Sequence, residues 1–140
     1  MNKTLAQIDR NEGVLWRFDT KRFTVAFWAE EEELPPEDSF EFPEDVEFAR
    51  EGDPSHWFCA FVGVFEGATD EEAHCVGYDC LGGCSYNSFD EFVASHREGG
   101  EDNRNCFATK ARNVVICHYF PSMVREAISQ ARAAYVMATQ

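Results

Sequence analysis

Positive charge is scarce in this chain. Twelve Lys and Arg stand against 26 Asp and Glu among 140 residues, for a formal net charge of −14. A field of that sign repels nucleic acid and anionic membrane and draws in basic surfaces. Direct binding to DNA or RNA is therefore not expected. Long apolar runs are also missing: no stretch approaches the ~20 residues of a membrane-spanning helix. The opening MNKTLAQIDRNEG has no apolar core of the kind a secretory signal needs. These absences lead to the expectation of a cytoplasmic protein with no membrane partner.

Signatures of catalysis are absent as well. There is no G-x-S-x-G, no phosphate-binding loop, no H-E-x-x-H and no Gly-rich dinucleotide loop between a strand and a helix. Gly82-Gly83 follows a strand pattern and precedes a helix pattern, but two glycines there read as a turn that ends the strand rather than as an anion cradle. The acids are too numerous for any pair of them to point to general acid–base work. The chain is expected not to be an enzyme and to need no cofactor.

Six cysteines, at 59, 75, 80, 84, 106 and 117, make an even count that would allow three disulfides. A chain of this length with 13 Phe has no need of such staples, so reduced thiols are expected. Zinc takes four ligands, usually as two short-spaced pairs. Cys80 and Cys84 form one such pair, and His74-Cys75 and Cys117-His118 are further candidates, but no second pair of similar spacing exists. Cys59 sits inside an apolar run, where a thiol simply packs. A thiol nucleophile would need a positive environment, which the surrounding acid opposes. No metal site is expected, and Glu30–Glu33 lack calcium-loop spacing.

What is present is apolar material for a core, with 44% hydrophobic and 14% aromatic residues. At this length it forms one domain, residues 1–140. Residues 1–13 read as a short polar lead-in with room for one helical turn. Val14–Phe18 and Phe23–Ala29 read as a hairpin, with Phe23, Val25, Phe27 and Ala29 on one face of the second strand. His56–Phe65 is apolar on both faces and is expected to be a central strand. His74–Leu81 is a fourth strand. Ser88 with Glu91 predicts a capped helix over Ser88–His96. A polar loop over Arg97–Asn105 and a short strand at Val114–Cys117 follow. Pro121–Thr139 closes the chain as its longest helix, with an apolar stripe of Val124, Ala127, Ile128, Ala131 and Tyr135. The expected fold is α+β, an antiparallel sheet of four to five strands with two helices packed on one face.

The charge is not spread evenly. Residues 30–53 hold twelve acids and one base, Arg50, so a net −11 lies in this insert and −3 in all the rest. Pro35, Pro36 and Pro43 forbid a long helix there, while Pro43–Arg50 suits a short one, with proline first and acids in its first turn. Carboxylates on one face of an extended segment recur every ~6.5–7 Å. Phosphates of a nucleic-acid strand rise ~3.4 Å each along the axis, with a through-space separation of the same order. Held in a fixed pattern, such carboxylates would enter a basic groove built for a phosphate backbone. The candidate partner-binding residues are Glu30, Glu31, Glu32, Glu33, Glu37, Asp38, Glu41, Glu44, Asp45 and Glu47. Phe40, Phe42 and Phe48 lie among them, either anchoring the insert or serving as contact points. The other reading of the acid is solubility alone, around a solvated loop.

Two stretches carry a resemblance. GYDCLGGCSY at Gly77–Tyr86, followed by Phe89 and Phe92, and MVREAISQAR at Met123–Arg132 resemble short uncharacterised acidic proteins of phages and plasmids. Cys80 stands where that group commonly has Tyr. The resemblance implies a mobile-element setting, where small acidic proteins block nucleic-acid-binding defences such as CRISPR effectors or restriction enzymes. The function expected first is thus an acidic inhibitor that mimics nucleic acid. The alternative is a small adaptor or regulatory domain that binds a protein through an apolar or mixed patch.

Overall fold

A computed structural model describes residues 2–94 and 119–139. The expected helix residues 95–96, the loop at 97–105, the strand at 114–117, Cys106, Cys117 and His118 lie outside the described residues. The described strands are β1 (Trp16–Asp19), β2 (Phe23–Glu31), β3 (Phe58–Glu66) and β4 (His74–Cys84). They form one antiparallel sheet in the order β1-β2-β3-β4. The helices are α1 (Leu5–Asn11), α2 (Pro43–Ala49), α3 (Phe89–Ala94) and α4 (Tyr119–Thr139), with short 3-10 turns at Pro36–Asp38 and Pro54–His56. The fold is α+β. No described helix is long and apolar enough to cross a membrane.

The period-two alternation of β2 and β3 sorts side chains to two faces. Val25 and Phe27 of β2, with Phe58, Ala60, Val62 and Val64 of β3, point to the face that α3 and α4 cover. The aromatic rings of Phe27, Phe92 and Phe120 meet there at centroid separations of 5.3–6.1 Å. Ala26, Trp28 and Phe65 point the other way, against Leu5 and Ile8 of α1. β3 is apolar on both faces because it lies between β2 and β4 and both of its faces are covered.

The lead-in is a seven-residue helix rather than a single turn. Thr4 and Gln7 close a capping box, with Gln7 N donating to Thr4 Oγ1 at 3.3 Å and Thr4 N donating to Gln7 Oε1 at 2.9 Å. Leu5 and Ile8, one turn apart, then bury against the sheet, and a nominally polar segment becomes the cover of its second face.

α4 packs on β4 through small residues. Its buried stripe is Met123, Ala127 and Ala131, with Val124 and Ile128 half-buried beside it. Tyr135, expected in that stripe, is 50% exposed; its ring lies 5.5 Å from the guanidinium of Arg22 instead. Gly77 of β4 faces the helix backbone, and any side chain there would collide with the carbonyl of Ala127 and the amide of Ala131.

Gly82-Gly83 does not end the strand. β4 continues to Cys84, and Phe58 pairs with Cys84 while Ala60 pairs with Leu81, so β4 holds one extra residue at this bulge. Gly83 supplies the left-handed φ of +67° that the bulge requires.

Candidate interaction surface

The acidic insert connects β2 to β3 and is tied to the sheet along its length. At its start the Glu32 carboxylate accepts from Gly83 N at 2.7 Å and from Leu34 N at 3.1 Å. Gly82 leaves room for this, since a Cβ there would sit 2.7 Å from Glu32 Oε2. The Trp57 indole donates to Leu34 O at 2.9 Å, and its ring meets Phe40 at 5.5 Å. Glu37 is ion-paired with Arg50, the insert's one base. The 3-10 turn at Pro36–Asp38 and α2 thereby form one folded-back unit.

At its end the insert returns through His56. The imidazole stacks on Phe48 at 3.9 Å, and its Nδ1 lies 3.1 Å from Phe48 O and 3.3 Å from Glu51 Oε2. Asp53 accepts from Ser55 N at 3.0 Å and from the Ser55 hydroxyl at 2.8 Å. Those bonds hold its carboxyl below the usual carboxylate range. Tyr86 N donates to Ser55 O at 3.0 Å, which joins this turn to the segment that leads into α3. Phe40 and Phe48 are thus anchors. Phe42 and Leu34 are not: they are 58% and 63% exposed among the acids.

The candidate acids divide by what they touch. Glu31, Glu33, Glu37, Asp38, Glu41, Glu44, Asp45 and Glu47 are exposed. Glu30 and Glu32 are half-buried, and their carboxylates already accept from within the chain, Glu30 from the Trp28 indole at 3.0 Å. Glu44 and Asp45 occupy the first turn of α2, where the helix dipole favours negative charge. The rigid scaffold and the exposed acids are therefore parts of one element.

Two acids outside the candidate set join this region. Glu12 and Asp53 line a cleft of about 550 Å³ together with Ala29, Glu30 and Glu31 of β2, and with Leu15, Trp57, Phe58 and Phe89. Glu12 follows α1, far from the insert in sequence, so local charge counting could not place it here. A second groove of about 680 Å³ lies between the β1–β2 hairpin and α4, lined by Phe18, Val25, Ile128, Arg22, Arg132 and Tyr135 among others. Arg22 is paired there with Glu66 at 2.6 Å.

Three of the four described thiols, Cys59, Cys75 and Cys84, are poorly disposed to react. Burial pushes Cys59 up to about 11 and Cys84 up to about 12, with nearby Glu32 adding to both. Cys75 is raised by burial too, and Cys80 is exposed. Cys59, Cys75, Cys80 and Cys84 are free. Among the described residues no group of three or more His, Cys, Asp or Glu is placed to hold a metal ion. Comparison with protein-family models, with curated proteins and with solved structures finds no match to the chain.

Proposed function

We propose that this chain is a non-catalytic binding protein whose insert presents carboxylates to the basic, nucleic-acid-binding surface of a protein partner, in the place a nucleic acid would occupy. The observation that carries this reading is the anchoring of residues 30–53 at Glu32, Phe40, Phe48 and His56, which leaves Glu33, Asp38, Glu41, Glu44 and Glu47 exposed on a held backbone. A held pattern loses less conformational entropy on binding than a mobile acidic loop does. Long-range attraction to Lys and Arg would speed the encounter and weaken as salt rises. A CRISPR effector or a restriction-type nuclease has the kind of groove that fits.

The test is competition. Native protein should displace DNA from such a nuclease, less effectively at 0.5 M salt than at 0.05 M, salt levels chosen to bracket about 10 Å of Debye screening. A variant with Glu33, Asp38, Glu44 and Glu47 changed to Lys should lose the effect while keeping its circular dichroism. Equal inhibition by that variant ends the reading.

The exposure of Leu34 and Phe42 favours a second reading, an adaptor that binds through a mixed patch. In that case a Leu34→Ser, Phe42→Ser variant loses its partner and the charge-reversed one retains it.

A further inference from the structure

β2 is longer than its outer neighbour. β1 pairs with Thr24–Phe27 only, whereas β3 pairs with β2 as far as Glu31. On the β1 side the carbonyls of Phe23 and Phe27 accept from Thr20 N at 2.7 Å and Leu15 N at 2.8 Å. The backbone repeats with period two and β2 carries no bulge against β3, so Ala29 and Glu31 turn their N–H and C=O to the same side. There β1 has ended. Among the described residues, no hydrogen bond reaches these groups from that side. Ala29 and Glu31 also line the 550 Å³ cleft, together with Glu12 and Leu15 from the segment that precedes β1.

We infer that the free edge of β2 at Ala29 and Glu31 takes up an extended basic segment of a partner protein, which adds to the sheet as a short strand. Open strand edges recognise peptides through the backbone, while side-chain neighbours select the sequence. Glu30 and Glu31 point to opposite faces of the sheet, and Glu12 and Asp53 line the same cleft. Two consecutive Lys or Arg on the added strand would each meet a carboxylate, one on each face. Apolar residues beside them would lie near Leu15 and Phe89. The same acids repel a second copy of this chain, which has a net −11 across residues 30–53. Charge therefore chooses the occupant.

The inference rests on the reading that the partner is basic, and it names the element recognised. The probe is the capped hexapeptide Thr-Val-Lys-Arg-Val-Thr, with a fluorophore, titrated against the full chain by anisotropy. Comparators are the same peptide N-methylated at alternate residues to remove its edge-facing donors, and Thr-Val-Glu-Glu-Val-Thr. The basic peptide should bind at least tenfold tighter than either. Hydrogen exchange at the Ala29 and Glu31 amides should slow when it is bound. Ala29→Pro, which removes an edge-facing donor and leaves every carboxylate in place, should abolish binding. If that variant does not fold, the N-methylated peptide still decides. Equal binding of the N-methylated form, or no binding of the basic peptide, overturns the inference. The variant reversed at Glu33, Asp38, Glu44 and Glu47 should keep peptide binding. Native protein that binds the peptide but displaces no DNA from the nuclease fails the mimicry reading alone, whereas native protein that displaces DNA but does not bind the peptide fails this inference alone.

Discussion

Glu32 of the insert and Gly83 of β4 are joined by a hydrogen bond of 2.7 Å across 51 residues of chain. Both carboxylate oxygens are used, since Oε1 accepts from Leu34 N while Oε2 accepts from Gly83 N. Glutamine has only one accepting oxygen and would turn an NH2 toward a backbone N–H. Glu32→Gln should therefore cost about 1 kcal/mol, in line with a partly exposed charge-assisted bond. It should also raise hydrogen-exchange rates across residues 32–40 before the sheet is affected. Unchanged exchange there would show that the insert is held by Trp57 and His56 alone.

The contact between Gly77 and α4 makes a sharper prediction. A valine at this position cannot be accommodated unless the helix lifts off β4, because what it meets is backbone rather than a movable side chain. Gly77→Val should destabilise by about 3 kcal/mol or more, the upper range for overpacking. Chemical denaturation would measure it, and a loss under 1 kcal/mol would mean the helix has room to move. Gly13→Ala serves as a control for clashes: nothing lies near its Cβ, although its φ of +83° adds strain of its own.

Acid should weaken one tie between the first hairpin and the β3–β4 connection. Arg17 grips Asp70 through both terminal guanidinium nitrogens at 3.0 and 3.1 Å and reaches Asp19 at 2.9 Å. Hydrogen bonds from Arg17 hold both carboxyls below their ordinary range. A lowered folded-state pKa gives stability that is present above the unfolded value, about 4, and is lost as pH falls through the folded value. Exposure of the groups keeps the effect near ~1 kcal/mol or less. Asp70→Asn should flatten the stability profile below about pH 4 relative to native protein. Parallel profiles would place the acid sensitivity elsewhere.

Among the four described cysteines, alkylation should follow exposure. Cys80 is exposed, whereas Cys84 is buried with its thiol pushed up to about 12. Iodoacetamide at pH 8, read out by peptide mass mapping, should modify Cys80 first and Cys84 only on unfolding. Early labelling of Cys84 would mean that β4 opens at its C-terminal end.

Much of the architecture was open to local reading. Alternation placed Phe23, Val25, Phe27 and Ala29 on one face of β2, and the doubly apolar run marked β3 as central. The prolines bounded α2, which spans Pro43–Ala49 as the insert's composition suggested. The Ser88 cap is also present, with Glu91 N donating to its hydroxyl at 3.0 Å. These features depend on neighbours within one helical turn or one strand, so their physical cause lies within the same few residues.

Other features depend on partners far along the chain, and only the tertiary structure decided them. Gly82-Gly83 has the local form of a turn. It is a bulge because the Glu32 carboxylate and the β3 register occupy that space. Tyr135 fits the apolar stripe of α4 by spacing, yet it lies beside Arg22 in a half-open groove. Glu32 looks like its exposed neighbours Glu31 and Glu33 until Gly83, 51 residues away, is seen to donate to it. Composition and periodicity determined an acidic α+β domain with a charged insert between its second and third strands. Which acids are free, and which edge of the sheet is open, followed from long-range pairing, because a hydrogen bond to a distant backbone leaves no mark on the residues around either end.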